Sequence, residues 1–82
     1  MRARKMVKGY ILVSTKPGKE YEVASEIMKI PFVSDVDVTY GLWDIVVRVE
    51  APSLSDLDKI ISNIRTLKFI EQTATLISQE MS

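Results

Sequence analysis

The 82-residue sequence contains no cysteine and no histidine. Without them, disulfides cannot stabilise the fold, and a structural metal site is not expected. The same absences remove the thiol and the imidazole that enzymes commonly use as nucleophile and base. A chain this short buries only about 60 to 65% of the surface that it exposes when unfolded, so its core alone is marginal. Self-association remains as the way to stabilise so small a domain.

Long apolar runs and a strong charge excess are also missing. No segment approaches the roughly 18 apolar residues of a membrane span, and no secretory signal follows the first Met, so we expect a cytoplasmic protein without membrane contact. The net charge is zero, but Arg2, Arg4, Lys5 and Lys8 leave seven basic against eleven acidic residues in the remainder. That remainder lacks the basic surface that duplex DNA requires, so direct nucleic acid binding is not expected. Residues 1–6 are predicted to be a frayed basic N-terminus.

The remaining sequence predicts one domain with the element order βαββαβ. Its predicted strands are residues 7–14, 32–40, 43–51 and 69–78, with a very short turn between the second and third. Phe32 and Phe69 each precede a β-branched residue at the entry to a strand, so the two halves resemble each other. Such halves form a ferredoxin-like α+β sandwich, a four-stranded antiparallel sheet with both helices on one face. Residues 7–78 are expected to form this fold.

The two predicted helices each carry an apolar stripe. The first begins at Lys19 and ends before Pro31, and the second begins at the N-cap Ser53, where Asp56 completes a capping box. The stripes consist of Val23, Ala24, Ile27 and Met28 in the first helix, and of Leu54, Leu57, Ile60, Ile61 and Ile64 in the second.

Two strands carry continuous apolar runs, Tyr10-Ile11-Leu12-Val13 and Ile45-Val46-Val47. Such runs suit strands that are covered on both faces. The helices cover one face and the chain has nothing left for the other, so we expect a second copy to stack sheet against sheet. The predicted interface residues are Tyr10, Leu12, Val46 and Arg48.

The sequence contains few residues that could form a catalytic site. There is no Gly-rich phosphate loop, and the strand alternation explains Asp35 and Asp37 as a solvated face rather than a catalytic pair. We therefore expect no catalytic residue, no metal and no cofactor.

Three segments carry a family resemblance. They are "KPGKE" before the first helix, Gly41-Leu42-Trp43-Asp44 followed by "IVVRVEA", and Thr73-x-Thr75 on the last strand. In this order and spacing they resemble the C-terminal effector-binding domain, or RAM domain, of the Lrp/AsnC transcription regulators, from about Lys8 to Ile77. The resemblance implies a ferredoxin-like fold, homodimers that form a dimeric α+β barrel through their sheets, and rings of such dimers, an octamer or a decamer.

The resemblance also implies a non-catalytic module that binds an amino-acid effector between neighbouring dimers. By position, the ligand-binding residues are Tyr40, Gly41, Leu42, Trp43 and Asp44, with Gln72, Thr73 and Thr75 opposite. Gly41 would let a carboxylate approach the backbone, and Asp44 would accept from an ammonium group. The alternative is that Gly41 is a turn glycine with positive φ and that Asp44 fixes this turn through its own backbone bonds. Trp43 replaces the usual Tyr or Phe, and its bulk would shrink the pocket.

Family regulators carry a helix-turn-helix domain, which this chain has no room to hold. The expectation is a stand-alone type that either senses on behalf of a full-length Lrp/AsnC-type regulator by mixed assembly or binds amino acids in another metabolic role. One alternative is an ACT-like amino-acid-binding module, whose ligand loop would lie at Pro17-Gly18. A second is a small dimeric α+β-barrel enzyme, which would need a base in a polar cavity between sheet and helices.

Overall fold

The computed structural model describes residues 6–78, so the predicted frayed N-terminus lies, except for Met6, outside the described residues. The elements follow the predicted order. They are β1 (Val7–Thr15), α1 (Glu20–Ile27), β2 (Val33–Val38), β3 (Ile45–Ala51), α2 (Leu54–Arg65) and β4 (Ile70–Ser78). Within residues 6–78, no helix has the length and hydropathy needed to cross a membrane.

The four strands form one antiparallel sheet in the order β2-β3-β1-β4. Helix α1 packs on β2 and β3, whereas α2 packs on β3, β1 and β4. Both helices contribute to a single core on one face of the sheet. This is the ferredoxin-like α+β fold that the sequence predicts, and its other sheet face carries no cover from residues 6–78.

Strand alternation builds the core. In β1, Ile11 and Val13 are fully buried beneath the helices, while Leu12 between them is half-buried on the open face. The buried apolar side chains are Ile11, Val13, Val23, Ile27, Ile45, Val47, Val49, Ala51, Leu57, Ile60 and Ile64. Thr15 is the one buried polar residue of the described chain. The space between sheet and helices is therefore filled with aliphatic side chains.

The helix ends explain where the predicted stripes were wrong. Met28 is 60% exposed because α1 ends at Ile27 and Met28 is already its C-cap. Leu54 is 56% exposed because it is the first residue of α2. The predicted N-cap is confirmed, since the Asp56 N–H donates to Ser53 Oγ at 3.2 Å. The carboxylate of Asp56 accepts from Ser53 Oγ at 2.9 Å, so it bonds to the N-cap side chain and not to the N-cap backbone N–H of a full capping box.

The similarity of the two halves extends to their backbone conformation. Phe32 and Phe69, which precede β2 and β4, have φ angles of +71° and +73°. The Phe32 carbonyl accepts from the Glu50 N–H at 3.0 Å, and the Phe69 carbonyl accepts from the Lys16 N–H at 2.9 Å. Each phenylalanine thus lies at the turn between a helix and the following strand. Its carbonyl is hydrogen-bonded to a residue of the other βαβ half.

Candidate functional site

The β2–β3 loop is longer than the sequence predicted. β2 ends at Val38 and β3 begins at Ile45, so residues 39–44 form the connection instead of Gly41-Leu42 alone. The Thr39 N–H donates to the Asp44 carbonyl and Thr39 Oγ1 donates to the Trp43 carbonyl, both at 2.8 Å. These two bonds close the base of the loop, next to the ends of β2 and β3. The tip of the loop, residues 40–42, therefore extends beyond the sheet.

Asp44 ties this loop to β1. Its Oδ2 accepts from the Thr15 N–H at 2.8 Å, and its own N–H donates to the Val13 carbonyl at 2.9 Å. The carboxylate thereby provides an acceptor for the backbone N–H of Thr15, a buried residue at the end of β1. One oxygen of the side chain that the sequence assigned to a ligand ammonium therefore has a structural partner.

The tip of the loop is open to solvent. Tyr40 and Leu42 are almost fully exposed, and Gly41 between them has a φ of +123°. Residues with a Cβ rarely adopt this conformation, and a Cβ built at Gly41 would meet nothing within 4 Å. The glycine is therefore needed for the shape of the loop, and its backbone can be approached from outside.

Part of the loop lines a cleft of about 360 Å³, which we call the turn cleft. Its lining residues are Glu20, Tyr21, Val38, Thr39, Tyr40, Gly41 and Asp44. Sequence reasoning missed Glu20 and Tyr21. They begin α1 just after β1 ends, so the antiparallel order places them at the same end of the sheet as the β2–β3 loop.

A second cleft, of about 600 Å³, lies where β4 begins, and we call it the strand cleft. Its lining residues are Trp43, Arg65, Ile70, Glu71, Gln72 and Thr73. Of the predicted ligand residues, Trp43, Gln72 and Thr73 line this cleft together. Arg65 and Glu71 were not predicted, although the end of α2 and the start of β4 are only a few residues apart in the sequence.

The predicted ligand residues thus divide between two clefts. Leu42 and Thr75, both within the described chain, line neither of them. Thr73 and Thr75 pair with Val13 and Ile11, so they lie on the helix side of the sheet. Gln72 pairs with Ser14 on the open face. A single chain therefore does not bring all eight predicted residues around one cavity.

The predicted interface residues lie together on the open face of the sheet. Leu12 stands opposite Val46 of β3 and Ala74 of β4, and Tyr10 stands opposite Arg48 and Leu76. Tyr10 is 37% exposed and Leu76 is 56% exposed. Arg48 forms an ion pair with Glu50 of its own strand, with 3.5 Å between Nη2 and Oε2.

No group of three or more acidic side chains that could hold a metal ion occurs within residues 6–78. The chemistry available at the clefts is instead that of backbone groups, hydroxyl and amide groups, one guanidinium, carboxylates and aromatic rings. Such a set suits noncovalent binding of a small polar molecule.

Comparison with known proteins places this geometry in context. The family model described as the Lrp/AsnC ligand binding domain matches residues 8–81. The chain is 36% identical over 73 residues to an uncharacterised helix-turn-helix type transcriptional regulator of Pyrococcus furiosus, covering 84% of this chain and 49% of that protein. It is 35% identical over 68 residues to the transcriptional regulator FL11 of Pyrococcus horikoshii, covering 83% and 45%. The chain thus spans about half the length of these relatives.

A solved structure is similar over its whole length. The crystal structure of FFRP-DM1 is 40% identical in sequence and superposes with a TM-score of 0.85. The match covers 90% of this chain and 100% of that one. The similarity therefore extends over nearly the whole chain and is not limited to one part of the fold.

Proposed function

Because the chain belongs to the Lrp/AsnC ligand-binding domain family, we propose that it senses an amino-acid effector and links effector binding to transcription regulation. The family consists of ligand-binding domains, so this is a regulatory and not a catalytic domain. The family match also favours this function over an ACT-like module. Gly18, the residue on which the ACT-like alternative depends, has a φ of +85° but lines neither cleft.

The observation that carries the proposal is the meeting of the β2–β3 loop with the start of β4 at one end of the sheet. The loop contributes Gly41 to the turn cleft and Trp43 to the strand cleft, so one segment borders both. Gln72 and Thr73 add groups that both donate and accept hydrogen bonds. In this arrangement Asp44 has the role of fixing the loop, since its carboxylate is bonded to Thr15.

Thermal unfolding in the presence of each of the twenty amino acids tests the proposal. A ligand present at 100 times its dissociation constant stabilises the folded state by about 2.7 kcal/mol through mass action. We expect at least one amino acid to raise the unfolding temperature of the full chain. If none of the twenty does so at millimolar concentration, the chain is not an amino-acid sensor.

We further propose that the chain forms a homodimer through the open face of the sheet, and that dimers assemble into a ring of eight or ten copies. Supporting this, Leu12, Val46, Ala74 and the partly exposed Tyr10 and Leu76 form one apolar cluster on that face. Apolar surface of this kind stabilises the chain when it is removed from water. Light scattering gives the mass directly, and a monomer at micromolar concentration would contradict the proposal.

The remaining proposals concern the biological setting. Because the chain matches about half the length of helix-turn-helix type regulators, we propose that it acts in the cytoplasm by mixed assembly with a full-length Lrp/AsnC-type regulator. Leu42 and Thr75, which line neither cleft, would then belong to contacts that a neighbouring subunit completes. Affinity capture from the native cell tests this, because it should recover a helix-turn-helix protein of the same family and not the chain alone.

A further inference from the structure

The last strand, β4, is one of the two edges of the sheet, because the strand order is β2-β3-β1-β4. One side of β4 pairs with β1, and we call the opposite side the free edge. No turn, loop or side-chain hydrogen bond within residues 6–78 involves any residue from Ile70 to Ser78. In an edge strand, every second residue directs its N–H and C=O groups away from the sheet. The free edge is therefore a row of backbone donors and acceptors that can bind another strand.

The other edge strand, β2, is protected against such pairing. It has six residues, and its register with β3 shifts between Val33 and Asp35. Asp35 and Asp37 add two exposed charges, and the Asp35 carboxylate accepts from the Val36 N–H at 3.0 Å. Short length, an irregular register and charge are the features that keep edge strands from pairing with other chains. β2 is therefore a poor site for a further strand.

The segment of β4 from Gln72 to Ser78 has none of these features. It contains no charge and no proline, and its register with β1 is regular. Leu76 and Ile77 are 56% and 52% exposed. They lie on opposite faces of the sheet, since Leu76 pairs with Tyr10 of the open face and Ile77 follows it in the strand. A strand added at the free edge would therefore lie beside exposed apolar side chains on both faces.

We propose that the free edge of β4 binds the free edge of a second copy in antiparallel orientation, and that this contact joins the dimers of the proposed ring. The assignment rests on that ring and deepens it by naming its second interface. A dimer that forms through the open face is closed by its own twofold axis, so a different contact must link one dimer to the next. Pairing at the free edge makes one continuous sheet from two chains.

The sequence of β4 is complementary to itself in this orientation. When Thr75 lies opposite the partner's Thr75, Ala74 lies opposite Leu76 and Thr73 lies opposite Ile77. No charged residue of this segment meets a like charge, and pairs of threonines and of apolar side chains stabilise antiparallel strands. Thr75 also lines neither cleft. A second copy of the chain is therefore the partner that fits this edge.

The edge contact is small. It involves seven residues of each chain, compared with about 20 to 30 residues a side in a standard stable interface. It is therefore not expected to hold two separate chains together at micromolar concentration. In a closed ring, each dimer is held by two such contacts, one from each of its chains, and their combined effect exceeds that of either contact alone. The edge contact thus acts between dimers and does not replace the open-face interface.

A single cysteine tests the contact, because the wild type has none. Thr75→Cys places two thiols opposite each other, and we expect oxidised glutathione to link them into a covalent dimer that non-reducing electrophoresis detects. Val36→Cys is the matched control. Val36, Val47, Ile11 and Thr75 form one row across the sheet, so Val36 is the equivalent half-buried position on the β2 edge. This variant is expected to remain unlinked.

A charge at the free edge tests whether the contact joins dimers. Ile77→Lys places an ammonium group beside the added strand, and lysine on an edge strand opposes pairing. Ile77 does not lie on the open face, so light scattering is expected to give the mass of a dimer. Met28→Lys, at a 60% exposed position at the end of α1, should keep the mass of the ring. Circular dichroism checks that each variant is folded, and Thr75→Cys tests the same edge with a side chain close in size to threonine.

The outcomes separate this assignment from the proposals on which it rests. If the wild type is larger than a dimer, and either Ile77→Lys has the same mass or Thr75→Cys links no faster than Val36→Cys, the edge assignment is overturned while the larger assembly stands. If the wild type is only a monomer or a dimer, both the ring and the edge assignment are overturned. Amino-acid sensing is tested by thermal unfolding and depends on neither result. Linking of Thr75→Cys together with loss of the ring in Ile77→Lys supports the assignment.

Discussion

The carboxylate of Asp44 accepts a hydrogen bond from the backbone N–H of Thr15 at 2.8 Å, across 29 positions of the sequence. Thr15 is buried, and the partner of its N–H is a side chain and not a neighbouring strand. The β2–β3 loop is therefore anchored to the end of β1, next to the position where α1 begins. The anchored loop borders both clefts, since Trp43 lines the strand cleft and Gly41 lines the turn cleft.

Removing the anchor should destabilise the fold. Asp44→Ala leaves the Thr15 N–H without its acceptor in a buried position, and we expect the free energy of unfolding to fall by about 1 to 3 kcal/mol. Asp44→Asn retains an acceptor oxygen and should lose less. Urea unfolding followed by circular dichroism measures both. An Asp44→Ala variant as stable as the wild type would show that the hydrogen bond contributes nothing.

Gly41 and Gly18 form a matched pair for separating loop shape from ligand binding. Both have a positive φ, and a Cβ added to either would meet nothing within 4 Å. Alanine should therefore cost stability through backbone strain at both positions, about 1 to 2 kcal/mol at Gly18 and more at Gly41, whose φ of +123° lies farther from the left-handed helical region. Only Gly41→Ala should also weaken amino-acid binding in titration calorimetry, because Gly41 shapes the β2–β3 loop that borders both clefts, whereas Gly18 lines neither of them. A larger effect of Gly18→Ala on binding would instead favour the ACT-like alternative.

The open face of the sheet can be tested with a charge. Leu12 is half-buried between Val46 and Ala74, so Leu12→Asp places a carboxylate in the centre of the apolar cluster. Since burying an unpaired charge is costly, we expect this variant to be monomeric by light scattering. Met28→Asp is the control, because Met28 is 60% exposed at the end of α1 and should leave the dimer intact. A dimeric Leu12→Asp variant would place the interface elsewhere.

Local patterns predicted the elements because each element is encoded by neighbouring residues. The N-cap bond between Ser53 and Asp56 lies within four positions, and the alternation of Ile11, Leu12 and Val13 sets which side chains are buried. Trp43, Gln72 and Thr73 line one cleft, but only the family resemblance, and no local pattern, gave a reason to consider them together.

The remaining features depend on contacts between distant residues. No local pattern indicates that Asp44 bonds to Thr15, or that residues 39–44 form the connection instead of the predicted two-residue turn. Arg65 and Glu71 appear in the sequence as ordinary exposed charges. They line one cleft because the last residue of α2 lies beside the start of β4. The apolar periodicity of α2 and the alternation of β4 do not determine how these two ends are placed relative to each other.

The two phenylalanines with positive φ should respond differently to substitution. Asn tolerates this conformation better than Phe, so replacement relieves strain at both positions. Phe32 is 45% exposed and should be nearly neutral to Phe32→Asn. The Phe69 ring packs against the core and lies under Lys19 Nζ at 4.7 Å, so Phe69→Asn should lose about 1 to 2 kcal/mol of stability through lost burial. Equal losses in chemical denaturation would contradict this difference between the halves.

The N-cap at the start of α2 allows a prediction about the stability of this helix. Ser53 Oγ accepts from the Asp56 N–H at 3.2 Å, and removing an N-cap hydroxyl typically costs about 1 kcal/mol. Ser53→Ala should therefore lower the unfolding temperature, while Ser55→Ala, an exposed position in the first turn of the same helix, should leave it unchanged or raise it through alanine's higher helix propensity. Because α2 ends at Arg65, loosening its first turn should leave the strand cleft intact and amino-acid affinity unchanged. A loss of affinity in Ser53→Ala beyond that explained by unfolding would mean that the two ends of α2 are coupled.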